Sequence, residues 1–420
     1  HNGVGNEGRL LASMLDAGST SQYTSGGFNV TEVYLEGKVP LLQNAFLAKD
    51  LTIDGQGRFS NYNTFGSVEN WKVSINWAPV SDIRFRATLG TSFRQPNVNE
   101  LYLGQSLSDP NGKDPCDSRN VSSYGAKAAT VLANCAKAGV DGTKYQALSQ
   151  NQIPVLTGGN RNLQPETGRT YTIGTIITPR WIPNLSASVD YWHYTLENMI
   201  STLPAQQILD GCYTGTTPSY CSSIASRSAA GDLTYVEDFY TNTGGLKTSG
   251  LDFDLSYRIR LTSNDSLSLE NNFQQLISYQ EQFINGGAWD NLTGRLTYFG
   301  GGGSLGSGGQ PRVRDYMTAT WRHNNFTFTY MMNYVGGMKL SDGTNDVSCK
   351  VYAYCKVPGI FSHDVTLGYR LGRWNFEGGV QNILNKKPPF VPDGAYNTQV
   401  SQYGMLLVGR YVFLQAGMTF

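Results

Sequence analysis

The chain is 420 residues long, and its 32 Lys+Arg balance 32 Asp+Glu, so neither a basic surface for nucleic acid nor an acidic tail is present. Charged residues are only 15%, aromatics 12% with 25 Tyr, and Gly numbers 48, yet mean hydropathy is −0.32 and no apolar run reaches the roughly 18 residues of a membrane helix. Low charge without high hydrophobicity is what strands with one polar and one apolar face produce, and the length admits two or three ordinary domains or one large β architecture.

Residues 1–27 are a polar stretch rich in Gly, Asn and Ser that starts at His1. It reads as the remnant of an extracellular loop, and an exported protein needs a leader, so either a leader has been removed or the sequence is part of a longer one. From residue 28 onward a strand-like alternation recurs. Thirteen segments carry it: 28–41, 49–62, 69–78, 83–94, 168–179, 184–197, 251–260, 265–281, 313–323, 325–336, 360–371, 373–382 and 406–420. In 83–94, Ile83, Phe85, Ala87, Leu89 and Phe93 oppose Arg84, Arg86, Thr88, Ser92 and Arg94. In 251–260, Leu251, Phe253, Leu255, Tyr257 and Ile259 oppose Asp252, Asp254, Ser256, Arg258 and Arg260. The last segment sets Val412, Leu414, Ala416, Met418 and Phe420 against Tyr411, Gln415, Gly417 and Thr419. One face suits hydrocarbon and the other a polar interior, so the fold class is all-β, an antiparallel transmembrane β-barrel wall.

The connections alternate in length. Short turns follow Val80, Arg180, Thr262, His323 and Gly372, whereas long loops occupy 95–167, 198–245, 282–312, 337–359 and 383–405. Short periplasmic turns and long outer loops are the rule for such barrels. The six cysteines fall as Cys116…Cys135, Cys212…Cys221 and Cys349…Cys355, each pair within one long loop. Local disulfides are the simplest of the 15 pairings that six cysteines allow, and they fit an exported protein. No spacing is C-x-x-C and no His lies near, which argues against a metal site. With the last strand ending at the periplasm, thirteen strands start the first one outside the cell. A barrel enters from the periplasm with an even strand count, so at least one further strand is expected upstream.

Three motifs resemble chemistry that their context does not support. Gly301 to Gly306 matches G-x-G-x-x-G but runs on into more glycine and then a strand, not a helix. Ser362, His363 and Asp364 are the residue types of a hydrolytic triad, but strand neighbours point to opposite faces. Residues 109–114 space oxygen ligands like a calcium loop, yet position twelve, counted from Asp109, is Asn120 rather than Glu. The sequence therefore suggests no enzyme, no cofactor and no metal.

Five segments together resemble the C-terminal half of a TonB-dependent outer-membrane receptor. They are F-R-Q-P-N-V-N-E-L-Y from Phe93, N-L-Q-P-E-T from Asn162, G-G-L-K-T-S-G-L-D from Gly244, N-I-L-N-K-K-P-P from Asn382, and the final strand ending in Phe420. The resemblance implies residues 1–420 are part of a 22-stranded barrel (about thirteen strands here), with 28–420 its strands and loops and Phe420 its outer-membrane C-terminal signal. It implies an N-terminal plug, contact with the TonB–ExbB–ExbD system through that plug, insertion by the barrel assembly machinery, and surroundings of outer-membrane lipid and lipopolysaccharide. It further implies active uptake of a small-molecule or oligomeric nutrient. The disulfide-bearing loops lean this toward an oligosaccharide over a ferric siderophore. Loop aromatics Trp289, Tyr352, Tyr354 and Tyr396 are candidate substrate contacts, although each could instead pack its own loop. Polar-face charges Arg84, Arg86, Asp252, Asp254, Arg258 and Glu377 are the expected plug-facing lumen. A passive porin and the barrel anchor of a surface adhesin are the rival readings. An isolated open wall would leave unpaired edges in lipid, so the segment is not expected to fold in membranes alone.

Overall fold

The computed structural model describes residues 22–282, 287–295, 310–339, 356–389 and 406–419. Thirteen long strands form one antiparallel sheet in strict sequence order. They are β1 (Val30–Ala45), β2 (Ala48–Tyr62), β3 (Gly66–Val80), β4 (Ile83–Arg94), β5 (Glu166–Ile177), β6 (Leu185–Ser201), β7 (Thr241–Arg260), β8 (Asp265–Gln282), β9 (Val313–His323), β10 (Phe326–Val335), β11 (Ile360–Leu371), β12 (Trp374–Gln381) and β13 (Tyr411–Met418). A short strand, Asp290–Asn291, adds a fourteenth member beside β8. The order begins at β1, exposed along all 16 residues, and ends at β13. Phe420 lies outside the described residues.

Directly paired residues of an antiparallel ladder point to the same face. The registers Asp54↔Ser74, Asn76↔Arg86, Arg86↔Gly174, Gly174↔Asp190, Asp190↔Asp252 and Asp254↔Asn272 therefore run one polar face across seven strands. The other face carries Ile75, Ala87, Ile173, Tyr191 and Leu251 in the same way. Much of that apolar face is exposed among the described residues: Ile173 is 59% exposed and Leu414 on β13 is 84% exposed. Aromatic pairs mark its turn end. The Trp77 indole donates to the Leu47 carbonyl at 2.9 Å, and Trp321 meets Phe326 edge-on. Left-handed residues Asn324 (φ 48) and Gly372 (φ 56) close two of the tight turns there.

Several strand bounds shift by up to five residues, the last strand beginning at Tyr411 rather than 406, and two expectations change more. β7 starts at Thr241 rather than near 251, because G-G-L-K-T-S-G continues the ladder against β6 and absorbs a bulge at Ser249/Gly250 against β8. The loops after β4 and β6 are also not loose connections. They fold together into one outer cap. Ser106–Ser108, Val155–Gly158 and Val236–Phe239 make a three-stranded sheet, the last two strands parallel and drawn from different loops. Helices Ala128–Lys137 and Ala205–Tyr213 pack Val131 and Leu209 against Ile153 and Val236. This is the largest apolar core among the described residues; disulfide Cys116–Cys135 lies within it, and Cys212–Cys221 runs from it to the exposed Cys221. Cys349 and Cys355 lie outside the described residues.

Candidate functional site

The polar face of the wall is a charged surface built by register. Arg84, Arg86, Asp252, Asp254, Arg258 and Glu377 all lie on it. Arg84 pairs with Asp50 at 3.0 Å. Arg86 reaches past its immediate partner, Gly174, and grips the Asp190 carboxylate one strand further on with two hydrogen bonds of 2.8 and 2.5 Å. Gly174 is what permits this: a Cβ there would lie 1.8 Å from Asp190 Oδ1. Asp254 accepts from Asn272 (2.5 Å) and Ser188 (3.3 Å) in a shallow groove of about 190 Å³. Arg258 reaches Ser268 at 3.4 Å, and Glu377 stands between Gly368 and Gln415. Asp252 Oδ1 is buried without a hydrogen-bond partner among the described residues. Sequence reading placed six of these charges but not Asp190 or Gly174, whose roles exist only once the strands are in register.

At the outer rim a clamp joins wall to cap. Arg94, the last residue of β4, holds Glu166 of β5 with two bonds of 2.7 Å and Glu100 with bonds of 2.9 and 3.0 Å. Glu100 caps its own short helix, Val98–Tyr102, in a reciprocal box with Asn97. Glu166 also accepts from the Ile200 amide at 2.8 Å, and Leu101, Leu163 and Ile200 form a small apolar cluster beside it.

Inside the cap the charges face one another. Arg227 and Asp114 are 5% and 3% exposed and make a bidentate pair at 2.7 and 2.8 Å. The Arg227 guanidinium lies over the rings of Tyr145 and Tyr213. Tyr124 and Tyr145 donate to Asp210 (2.6 Å) and Asp232 (2.9 Å), and burial pushes both phenols well above their ordinary range. Asp117, gripped by Arg119, is held below the usual carboxylate range. Burial instead pushes Asp238 up to about 6, and its Oδ1 has no hydrogen-bond partner among the described residues.

Of the loop aromatics proposed for substrate, Tyr352, Tyr354 and Tyr396 lie outside the described residues. Trp289 covers Gly245, and the Lys247 ammonium sits 4.0 Å from its ring centre. Gly245 and Lys247 share the parity of Leu251, so this ring rests on the outward face of the wall rather than over the polar one. The S-H-D run is also split by the pleat. Ser362 and Asp364 pair with Asn333 and Met331, while His363 pairs with Met332 on the apolar face and bonds Tyr330 at 2.7 Å. Among the described residues no cluster of His, Cys, Asp or Glu could hold a metal ion; Asp114 of the calcium-like stretch is committed to Arg227.

A family model described as TonB dependent receptor-like, beta-barrel, matches residues 4–383. The siderophore receptor PirA from Acinetobacter baumannii is similar at TM-score 0.58 and 12% identity over 95% of this chain and 48% of that one. A mutant of the ferric enterobactin receptor PfeA from Pseudomonas aeruginosa gives 0.59 and 13%, over 94% of this chain and 45% of that one. The FrpB iron transporter from Neisseria meningitidis gives 0.51 and 14%, over 93% and 45%. The chain thus spans about half the length of these proteins, and at such identities the likeness is one of fold.

Proposed function

This chain belongs to the TonB-dependent receptor β-barrel family, and from that premise we propose that it forms wall and outer cap of a receptor for active uptake of a ferric siderophore or similar iron chelate. The family consists of Gram-negative outer-membrane transporters, not enzymes. The observation that carries the reading is the charge-bearing polar face that register continues across β2–β8, cross-linked by ion pairs such as Arg86–Asp190. A passive pore needs only a wetted lumen; a face this heavily cross-bonded suits a polar plug seated against it. The plug, its energy-coupling partners and the assembly machinery come with this proposal.

The oligosaccharide preference drawn from the disulfide loops loses its support. The cap's aromatics Tyr124, Tyr145, Tyr213 and Tyr220 are spent on its own core and hydrogen bonds, and Trp289 rests on the wall. What favours an iron chelate is that the neighbouring folds carry siderophore, ferric enterobactin and iron in their names. The test is growth of a deletion strain under iron limitation with single ferric siderophores, alongside direct binding to the purified native protein. Loss of growth on one chelate, restored by the gene, supports the reading. Normal growth on every chelate, with binding of an oligosaccharide, would overturn it. High conductance of the native protein in planar bilayers would favour the porin.

A further inference from the structure

We propose that the inner mouth of the lumen carries an anion-binding band of Arg258, Arg260, Arg322 and Arg370, which receives a polyanionic chelate as it leaves the wall; this rests on the receptor reading above. The registers Arg260↔Ser266, Ser266↔Arg322, Arg322↔Thr327 and Thr327↔Gly368 run one cross-strand row over β7–β11. Arg258 lies one row further up the same face, and Arg370 one row nearer the turns. The parity is that of Asp252 and Asp254, so all four belong to the polar face. Arg260 ends β7 and Arg322 is the penultimate residue of β9, which sets the band beside the short turns.

Further out, the lumen changes sign. The row above Arg258 carries Glu270, opposite Ser256 and Thr318, and Asp364, opposite Met331. The next carries Asp254, and Asp252 stands above that. Successive rows are about 7 Å apart, within the Debye length of about 8 Å at physiological salt, so the contrast survives screening. An anion drawn past the acidic rows meets the arginines, and its way back lies against like charge.

The protein does not neutralise the band. All four arginines are exposed, and none forms a salt bridge among the described residues. Arg258 reaches only the Ser268 hydroxyl, at 3.4 Å. Glu377, opposite Gly368 and three strands from Arg322, makes no ion pair either. Asp265 at the turn is taken by His323 and Thr262. Arg260 and Arg322 stand two strands apart, about 10 Å, with the Ser266 hydroxyl between them. Guanidinium forks interleaved with hydroxyls at that spacing suit a ligand with several carboxylates or similar oxyanions, and rings of arginine are a means by which pores favour anions.

The test uses the native protein extracted from outer membranes, with citrate as the probe anion. Arginines are modified with phenylglyoxal, with and without citrate at constant ionic strength, and the modified peptides are mapped by mass spectrometry. Saturating citrate should slow modification of Arg260 and Arg322 by about tenfold or more, since only unoccupied protein reacts, and leave Arg161, exposed in the cap, unchanged. In Arg258→Gln/Arg370→Gln the citrate concentration that protects Arg260 and Arg322 should rise at least about tenfold, a loss of about 1.4 kcal/mol. An unchanged requirement in a variant with wild-type heat-modifiable mobility would overturn the band. So would arginines inert without citrate, which would mean that protein carboxylates cover them. Equal protection of Arg161 would also overturn it, by making citrate an adventitious ion only. A wild type that supports growth on no ferric chelate would overturn the receptor reading instead, and would leave citrate protection standing.

Discussion

Replacing Arg227 by Met should open the outer cap without disturbing the wall. Arg227 makes four hydrogen bonds: two to Asp114, one to the Tyr213 hydroxyl at 3.0 Å and one to the Gly231 carbonyl at 2.7 Å. Its loss leaves the Asp114 carboxylate, 3% exposed, with the Cys116 amide at 2.9 Å as its one remaining donor among the described residues. Removing one partner of a buried ion pair costs about 3–5 kcal/mol, because the remaining charge is uncompensated. At about 1.4 kcal/mol per decade, the cap's opening equilibrium should rise by two to four orders of magnitude. Both disulfides would remain, so opening would be local: faster amide exchange in Ala128–Lys137 and Ala205–Tyr213, with the ladder of β2–β8 unchanged. Asp114→Asn combined with Arg227→Met removes the stranded charge and should recover much of the loss. Exchange rates in the single variant equal to wild type would refute the reasoning, since they would mean the pair contributes nothing to cap closure.

Asp238 holds its proton up to about pH 6 in the folded cap, whereas the unfolded carboxyl loses it near 3.8. Its contribution is therefore most favourable below the ordinary carboxylate range and falls as pH rises through 6, so Asp238→Asn should stabilise the cap at pH 7 by up to about 3 kcal/mol and by almost nothing at pH 3.5, measured as the difference in cap exchange between variant and wild type. Gly174→Ala should push the Asp190 carboxylate off Arg86 and cost about as much as Asp190→Asn, with the two losses non-additive in urea unfolding; simple additivity would count against the contact. Arg94→Lys should lose most of what Arg94→Ala loses, because an ammonium cannot fork to two carboxylates, and limited proteolysis near Val98–Tyr102 would show it; a Lys variant as resistant as wild type would refute the clamp.

The wall was legible because a strand's period of two repeats thirteen times, and each repeat needs no knowledge of its neighbours. The boundaries of β9 and β11 fall where the alternation begins and ends. The cap was not legible for the opposite reason. Val131, Ile153, Leu209 and Val236 meet across more than a hundred residues and two loops, with no period to announce them. Only the paired cysteines hinted at order there. Within the candidate site, alternation placed Arg84, Arg86, Asp252 and Asp254 on one face, but the partnership of Arg86 with Asp190 depends on register and on a glycine between them. The seat of Trp289 beside Gly245 and Lys247 was likewise illegible, because it depends on register and on the bare surface of a glycine in a strand distant from its own loop.

The Arg94 clamp gives a physical reading of two of the segments by which the chain resembles its family. F-R-Q-P-N-V-N-E-L-Y supplies Arg94, the Asn97 cap and Glu100; N-L-Q-P-E-T supplies Leu163 and Glu166. Each motif alone leaves charge unpaired at the rim. Together they satisfy one guanidinium with two carboxylates, both 7% exposed. The clamp stands where both chain ends of the first cap loop meet the wall, since Arg94 and Glu166 are paired residues of β4 and β5. A force on the cap, whether from a ligand seated on it or from movement of material in the lumen, can reach the strands through this junction as well as through Ser201 and Thr241, where the second cap loop leaves β6 and enters β7. A clamp stiff enough to hold 71 intervening residues (166 − 94 − 1) to the rim makes wall and cap one mechanical unit there. Cap and lumen should therefore respond to ligand together: a chelate that protects the cap from proteolysis should also slow exchange at the outer ends of β4 and β5, and that coupling should weaken in Arg94→Ala, whereas coupling at β4 and β5 unchanged from wild type would refute the role of the clamp.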